Sequence, residues 1–187
     1  MRLFVALDAP AAWQREAEAI QRALPSLVRD GARLVDLENL HVTLRFIGEV
    51  ADLDTPRLKA ALRRHLPPVD VELRLGRVGT FGAPARTSVV WLGVDGDLDG
   101  LRELHERANA AVEEALELPF DEGRFTPHIT LARVRNRVTA ADRRAIADHV
   151  RSLPPPDPEP FVAREALLIR SHLGPGGARY EVLDRYS

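Results

Sequence analysis

The sequence predicts a mixed fold, α/β or α+β, built on a mostly antiparallel sheet. Three observations lead there. Apolar β-rich runs interleave with helical periodicities, hairpin signals join neighbouring strands without any nucleotide-type glycine loop, and one strand pattern recurs almost half the chain later. The 187 residues are 45% hydrophobic and 29% charged, which suits one large domain or two small lobes packed together around a real core. Cysteine is absent, excluding disulfides and cysteine-ligated zinc. A net charge of -2 argues against a broad basic surface gripping long nucleic acid, yet leaves room for a local positive pocket around one phosphate. Every basic residue except Lys59 is arginine, an excess that together with Ala and Pro reads as the composition of a GC-rich genome.

Residues 2–7 are the first expected strand. The stretch is too short for a signal-peptide core, and no apolar run approaches the roughly 20 residues that span a bilayer, so a cytoplasmic protein with no membrane partner is expected. Asp8 or a neighbour should cap a helix with Pro10 in its first turn, ending near residue 24 because Pro25 cannot continue it. Residues 33–35 suggest a short strand, and residues 41–47 alternate strongly until Gly48 ends them. Thr55 and Pro56 open a helix that Pro67 and Pro68 break. Strands follow at 69–78, half-exposed, and at 88–94, more buried. Leu101, Leu104, Ala108, Ala111, Val112 and Ala115 mark one face of a long helix over 98–118. A strand at 127–134 precedes a helix from Thr139 to about 153 that opens on a capping-box-like Thr-Ala-Ala-Asp. The proline-rich 154–160 reads as a stiff connector, after which strands at 161–171 and 178–184 join through a glycine-rich hairpin.

The recurring pattern is Leu40-His41-Val42-Thr43-Leu44 against Pro127-His128-Ile129-Thr130-Leu131. One His-x-Thr is a weak signal. Two copies, each with a β-branched centre and a following leucine, are not readily accidental. On a strand, residues two apart share a face, so His41 and Thr43 point together, with Arg45 beyond them and Val42, Leu44 and Phe46 toward the core. His128 and Thr130 likewise share a face. If two similar halves are related by a pseudo-twofold axis, the pairs confront each other across a cleft. Paired imidazoles suit in-line displacement at phosphorus, where one proton leaves the attacking oxygen and another reaches the leaving oxygen on the opposite side. A threonine hydroxyl beside each ring can donate to a non-bridging phosphate oxygen. This arrangement needs no metal, and neither a carboxylate-rich magnesium motif nor a His-Glu-x-x-His zinc helix is present, so no cofactor is expected.

The residues 2–7, 39–49, 125–133 and 171–180 together resemble the 2H phosphoesterase superfamily, and within it the bacterial RNA 2′,3′-cyclic phosphodiesterases, also called LigT-like 2′–5′ RNA ligases. The resemblance spans nearly the whole chain in the expected order. It implies a two-lobed α+β fold with outer helices and a cleft between the lobes, as a single domain over 1–187 with one motif per lobe (41–44 and 128–131). It implies hydrolysis of an RNA or nucleotide 2′,3′-cyclic phosphate to a 2′-phosphate, with His41 as proton donor to the leaving 3′ oxygen and His128 as the base that activates water. Residue physics alone does not assign those two roles. The family often carries an aromatic residue a few positions before the first motif where this chain has Leu34 and Val35, which puts base stacking there in question.

For the remaining candidates, bland readings compete with functional ones. Arg45 divides between substrate contact and a surface ion pair. Arg133 stands one place further along its motif and would need a bulge or a strand end to reach the same face. Phe125 divides between core packing and base stacking. Arg124, Arg133, Arg135 and Arg137 form a basic cluster, read as a solvated loop or an RNA approach surface. His65, His105 and His149 are expected on helix surfaces, and His172 near the hairpin turn is given no role. ATP-independent 2′–5′ ligation by the same residues and a non-catalytic RNA-end binding module are the alternatives. A monomer is expected.

Overall fold

The computed structural model describes residues 1–24, 31–121, 123, 125–174 and 177–187. Its elements run β1 (Arg2–Asp8), α1 (Ala11–Ala23), β2 (Ala32–Leu34), β3 (His41–Glu49), α2 (Thr55–His65), β4 (Val71–Phe81), β5 (Val89–Gly96), α3 (Leu98–Leu116), β6 (His128–Val134), α4 (Ala140–Ser152), β7 (Phe161–Ala163), β8 (Ala166–Gly174) and β9 (Gly177–Tyr186). The fold is α+β, and every strand pairing in it is antiparallel.

The strands form one nine-stranded sheet in the order β7-β4-β5-β6-β3-β1-β8-β9, with β2 added on β6. The expected single strand over 161–171 is instead divided between the three-residue β7 and the nine-residue β8, at distant places in this order. β7 pairs with β4 and β8 with β1, and only Arg164 and Glu165 separate them. In a flat sheet those positions would lie six strand spacings apart, roughly 29 Å, whereas three Cα steps reach at most about 11 Å. The sheet therefore curls until its ends approach. Alternation along 161–171 cannot reveal this, because strand partners are not written locally.

One face of the sheet is covered by the helices. Trp13, Ala17 and Ile20 of α1, Leu58 and Leu62 of α2, Leu101, Leu104 and Val112 of α3, and Ile146 and Val150 of α4 join Leu3, Val5, Val42, Leu92 and Ile129 in a single core. The helices are exchanged between the two halves of the sheet: α1 follows β1 yet packs beneath β6, and α3 follows β5 yet packs beneath β3. Helix starts follow the expected chemistry in part. Thr139 accepts from Asp142 N–H at 3.2 Å. Pro10 stands just before α1 without a side-chain cap, and Asp8 accepts from Ala9 N–H instead. Pro25, expected to stop α1, lies outside the described residues. Gly48 does not end β3 but sits within it at φ 89°, in the left-handed region that glycine tolerates best. No described helix is long and apolar enough to cross a membrane.

The opposite face carries a small buried apolar cluster of Phe4, Ala6, Leu167 and Ile169, with Tyr180 against it. Here the sheet is open, and β3 and β6 meet at its middle through the single pair Val42↔Ile129.

Candidate active site

That pair sets the site. With Val42 opposite Ile129 in antiparallel register, His41 falls across from Thr130 and Thr43 across from His128. All four side chains are half-buried on the open face, while Val42 and Ile129 are buried in the core. Two adjoining hollows repeat this diagonal. One, about 340 Å³, is lined by His41, Thr130, Arg133 and Tyr180. The other, about 240 Å³, is lined by Thr43, His128, Phe46, Phe81 and Phe125.

Both histidines are oriented alike. His41 Nδ1 lies 2.7 Å from Asn39 O and His128 Nδ1 lies 2.8 Å from Thr126 O. A carbonyl only accepts, so each Nδ1 carries the proton and each Nε2 is left for chemistry. Asn39 is itself held by a bond from its side chain to Ala178 O at 2.8 Å. Each ring also has two aromatic neighbours: Phe4 and Tyr180 at 4.7 and 5.3 Å from His41, Phe81 and Trp91 at 4.8 and 6.3 Å from His128. Any side chain at Gly79 would collide with the Trp91 indole, so this glycine makes room for that ring.

Desolvation in this setting pushes His41 down from 6.5 to about 4, with repulsion from His128 and Arg133 adding to it and the bond to Asn39 opposing. His128 is also lowered, by burial first and then by Arg133, against its bond to Thr126. Burial raises the Tyr180 hydroxyl above its ordinary value, so it remains a neutral donor near pH 7. Both imidazoles are therefore neutral in the unliganded site at pH 7.

The residues after each motif depart from simple alternation. The first seven residues of β3 and all seven of β6 share one burial sequence: half-buried, buried, half-buried, buried, buried, exposed, buried. The cause is a bulge at the same position in each strand. Ala6 pairs with Thr43 and Val5 with Arg45, leaving Leu44 unpaired; Trp91 pairs with Thr130 and Val90 with Ala132, leaving Leu131 unpaired. Arg45 is thereby turned away from His41 to the helix-covered side, where it is 9% exposed, donates to Pro119 O at 2.9 Å and pairs with Asp121 at 3.2 Å. Phe46, expected in the core, is 48% exposed on the open face. Arg133 gains the bulge it needed and lines the hollow beside His41, with no carboxylate partner among the described residues.

Phe125 both packs on the core and lines the hollow at His128, its ring flat against His105 at 4.3 Å. His105 is thus not a surface residue; it is 7% exposed beneath β3. His65 pairs with Glu114, His149 lies 3.2 Å from Ala23 O, and His172 pairs with Glu181. Arg124 lies outside the described residues. Among those described, no three of His, Asp or Glu come together as a metal-ligand set. Tyr180, Phe4, Phe81 and Trp91 are the site neighbours that residue patterning missed. Of these, Phe4 and Tyr180 had a sequence signal, from the opening strand and the closing hairpin of the family resemblance.

Over residues 9–174 the sequence matches the 2′-5′ RNA ligase superfamily. The RNA 2′,3′-cyclic phosphodiesterase of Methanocaldococcus jannaschii is 30% identical over 187 residues, covering 100% of both chains. A crystal structure of a Thermus thermophilus protein superposes with a TM-score of 0.80 at 27% identity, covering 100% of this chain and 97% of that one. The crystal structure of Escherichia coli LigT complexed with 3′-AMP gives 0.77 at 28% identity, with 99% and 96% covered.

Proposed function

The chain belongs to the 2′-5′ RNA ligase superfamily, and from that premise we propose that it hydrolyses RNA 2′,3′-cyclic phosphate ends to 2′-phosphates by metal-independent acid–base catalysis between His41 and His128. The observation that carries this reading is the square of His41, Thr43, His128 and Thr130 on one face of the sheet across the Val42↔Ile129 pair. In this reading residues 1–187 act as one domain and as a monomer.

The chemistry follows from charge. The cyclic phosphate is a monoanion, and Arg133 supplies a fixed positive charge in its hollow, which Arg33 also lines. Thr43 and Thr130 hydroxyls donate to non-bridging oxygens as charge builds on them. Both histidines are neutral before substrate enters, so the arriving anion has to favour the imidazolium, offsetting desolvation and Arg133. Following the family pattern, His128 Nε2 takes a proton from water as its oxygen bonds to phosphorus. The P–O3′ bond breaks, and His41 Nε2–H delivers its proton to O3′. The product is a 2′-phosphate beside a free 3′-hydroxyl, and proton exchange with solvent resets the pair.

A second reading, joining to an RNA 5′-hydroxyl in place of water, is favoured by the hollow at His128. Its volume of about 240 Å³ far exceeds the roughly 30 Å³ share of a water molecule, and Phe46, Phe81 and Phe125 line it. The test is an RNA oligonucleotide ending in a 2′,3′-cyclic phosphate, incubated with and without EDTA. Conversion to the 2′-phosphate, undiminished by EDTA, is the expected result. A 3′-phosphate product, or turnover lost on chelation, would contradict the proposal.

A further inference from the structure

The two bulges are anchored in the same manner, each by a buried polar side chain from an exchanged helix. The Leu131 carbonyl accepts Val35 N–H at 2.9 Å and also the Gln21 side-chain amide at 3.0 Å; the same Gln21 Nε2 donates to Val35 O at 2.8 Å. The Leu44 carbonyl accepts from His105 Nδ1 at 2.7 Å, and Asn109 Nδ2 donates to the other ring nitrogen at 3.1 Å, which fixes the neutral tautomer. Gln21 lies on α1 yet reaches β6, while His105 lies on α3 yet reaches β3. Each is 7% exposed.

A polar group at such depth costs stability unless bonded, and an apolar residue would pack there as Trp13, Ala17 and Ile20 do on the same helix. The bonds go to the carbonyl of the leucine that each bulge leaves without an opposite residue in β1 or β5. Without the bulge in β6, strict alternation would turn Ala132 to the cleft and drive Arg133 toward the core. We infer that Gln21 and His105 are positioning residues, each holding one bulge so that the residue two places beyond it, Arg133 in β6 and Phe46 in β3, faces the cleft. The consequence for catalysis rests on the reading that Arg133 binds the substrate's phosphate.

The experiment is a double-mutant cycle on 2′,3′-cyclic CMP, combined with hydrogen–deuterium exchange over residues 130–134. Gln21→Met, near in shape but without a donor, raises KM about tenfold with kcat changed less than about threefold, and adds less than twofold in an Arg133→Met background. Exchange at 130–134 rises at least about tenfold. Gln21→Ala serves the same cycle should the methionine variant not fold. On the other strand, His105→Asn keeps a donor for Leu44 O and preserves kcat, which His105→Leu lowers about tenfold. Unchanged KM and exchange in the Gln21 variants, or full additivity with Arg133→Met, would overturn the inference. Absence of turnover in the wild type would overturn the hydrolytic reading alone, because the exchange measurement still decides the clamp.

Discussion

β3 and β6 are built alike and finish differently. Each presents a histidine and a threonine to the open face, ties its histidine to the carbonyl two residues before, and bulges at the leucine after the threonine. Beyond the bulge the likeness ends. β3 buries Arg45 and exposes Phe46, whereas β6 buries Ala132 and exposes Arg133. One end of the cleft therefore carries a cation and the other an aromatic wall. A repeated scaffold can hold two histidines alike while the second residue beyond each bulge gives the two ends different chemistry. The histidines share a geometry but not a surrounding: Phe4 and Tyr180 enclose His41, and Phe81 and Trp91 flank His128.

The most damaging changes should be at the shared positions. His41→Ala and His128→Ala are each expected to lower kcat about 10²–10⁴-fold with the fold retained, and the double variant to fall little further, because a coupled pair fails once either member is lost. Steady-state rates beside thermal melts check this; wild-type turnover in either single variant would break the proposed mechanism.

Next come the two arginines, which bring out the contrast because Arg45 stands one place beyond its bulge and Arg133 two places beyond its own. Arg133→Met should lower kcat/KM about 10- to 100-fold, the worth of a charged hydrogen bond, and leave the melting temperature nearly unchanged. Arg45→Met should do the reverse. It leaves Pro119 O without its donor and Asp121 without its partner, costing about 1–3 kcal/mol of stability with kcat/KM held within about threefold. Equal kinetic losses would erase the distinction between the two strands.

Much of this is legible in the sequence. The paired motif, its half-chain spacing, and most strands and helices follow from alternation and capping residues. What could not be read is whatever depends on a partner strand. Arg45 and Phe46 exchange faces because of one unpaired leucine, and a bulge is a property of two strands, not of one. His105 looks like a surface residue on a helix, since its reason for burial, the Leu44 carbonyl, lies on a distant strand. Residues 161–171 divide because β4 and β1 claim different parts of them.

A smaller effect concerns pH. Both free-site histidines are held below 6.5, His41 to about 4. The alkaline limb of kcat/KM, which reports loss of the required proton from the free enzyme, should have its midpoint below 6.5. Bound phosphate anion favours the imidazolium, so the corresponding limb of kcat should lie at higher pH. Coincident limbs, or both above pH 7.5, would contradict the neutral resting pair.

That two histidines held identically do opposite proton work can be tested by replacing the 3′ bridging oxygen of a nucleoside 2′,3′-cyclic phosphate with sulfur, a leaving atom that needs no acid. His41→Ala should recover most of its lost rate on the sulfur substrate, while His128→Ala recovers none. Rescue of His128→Ala instead, or an equal response of both variants, would refute the division of roles.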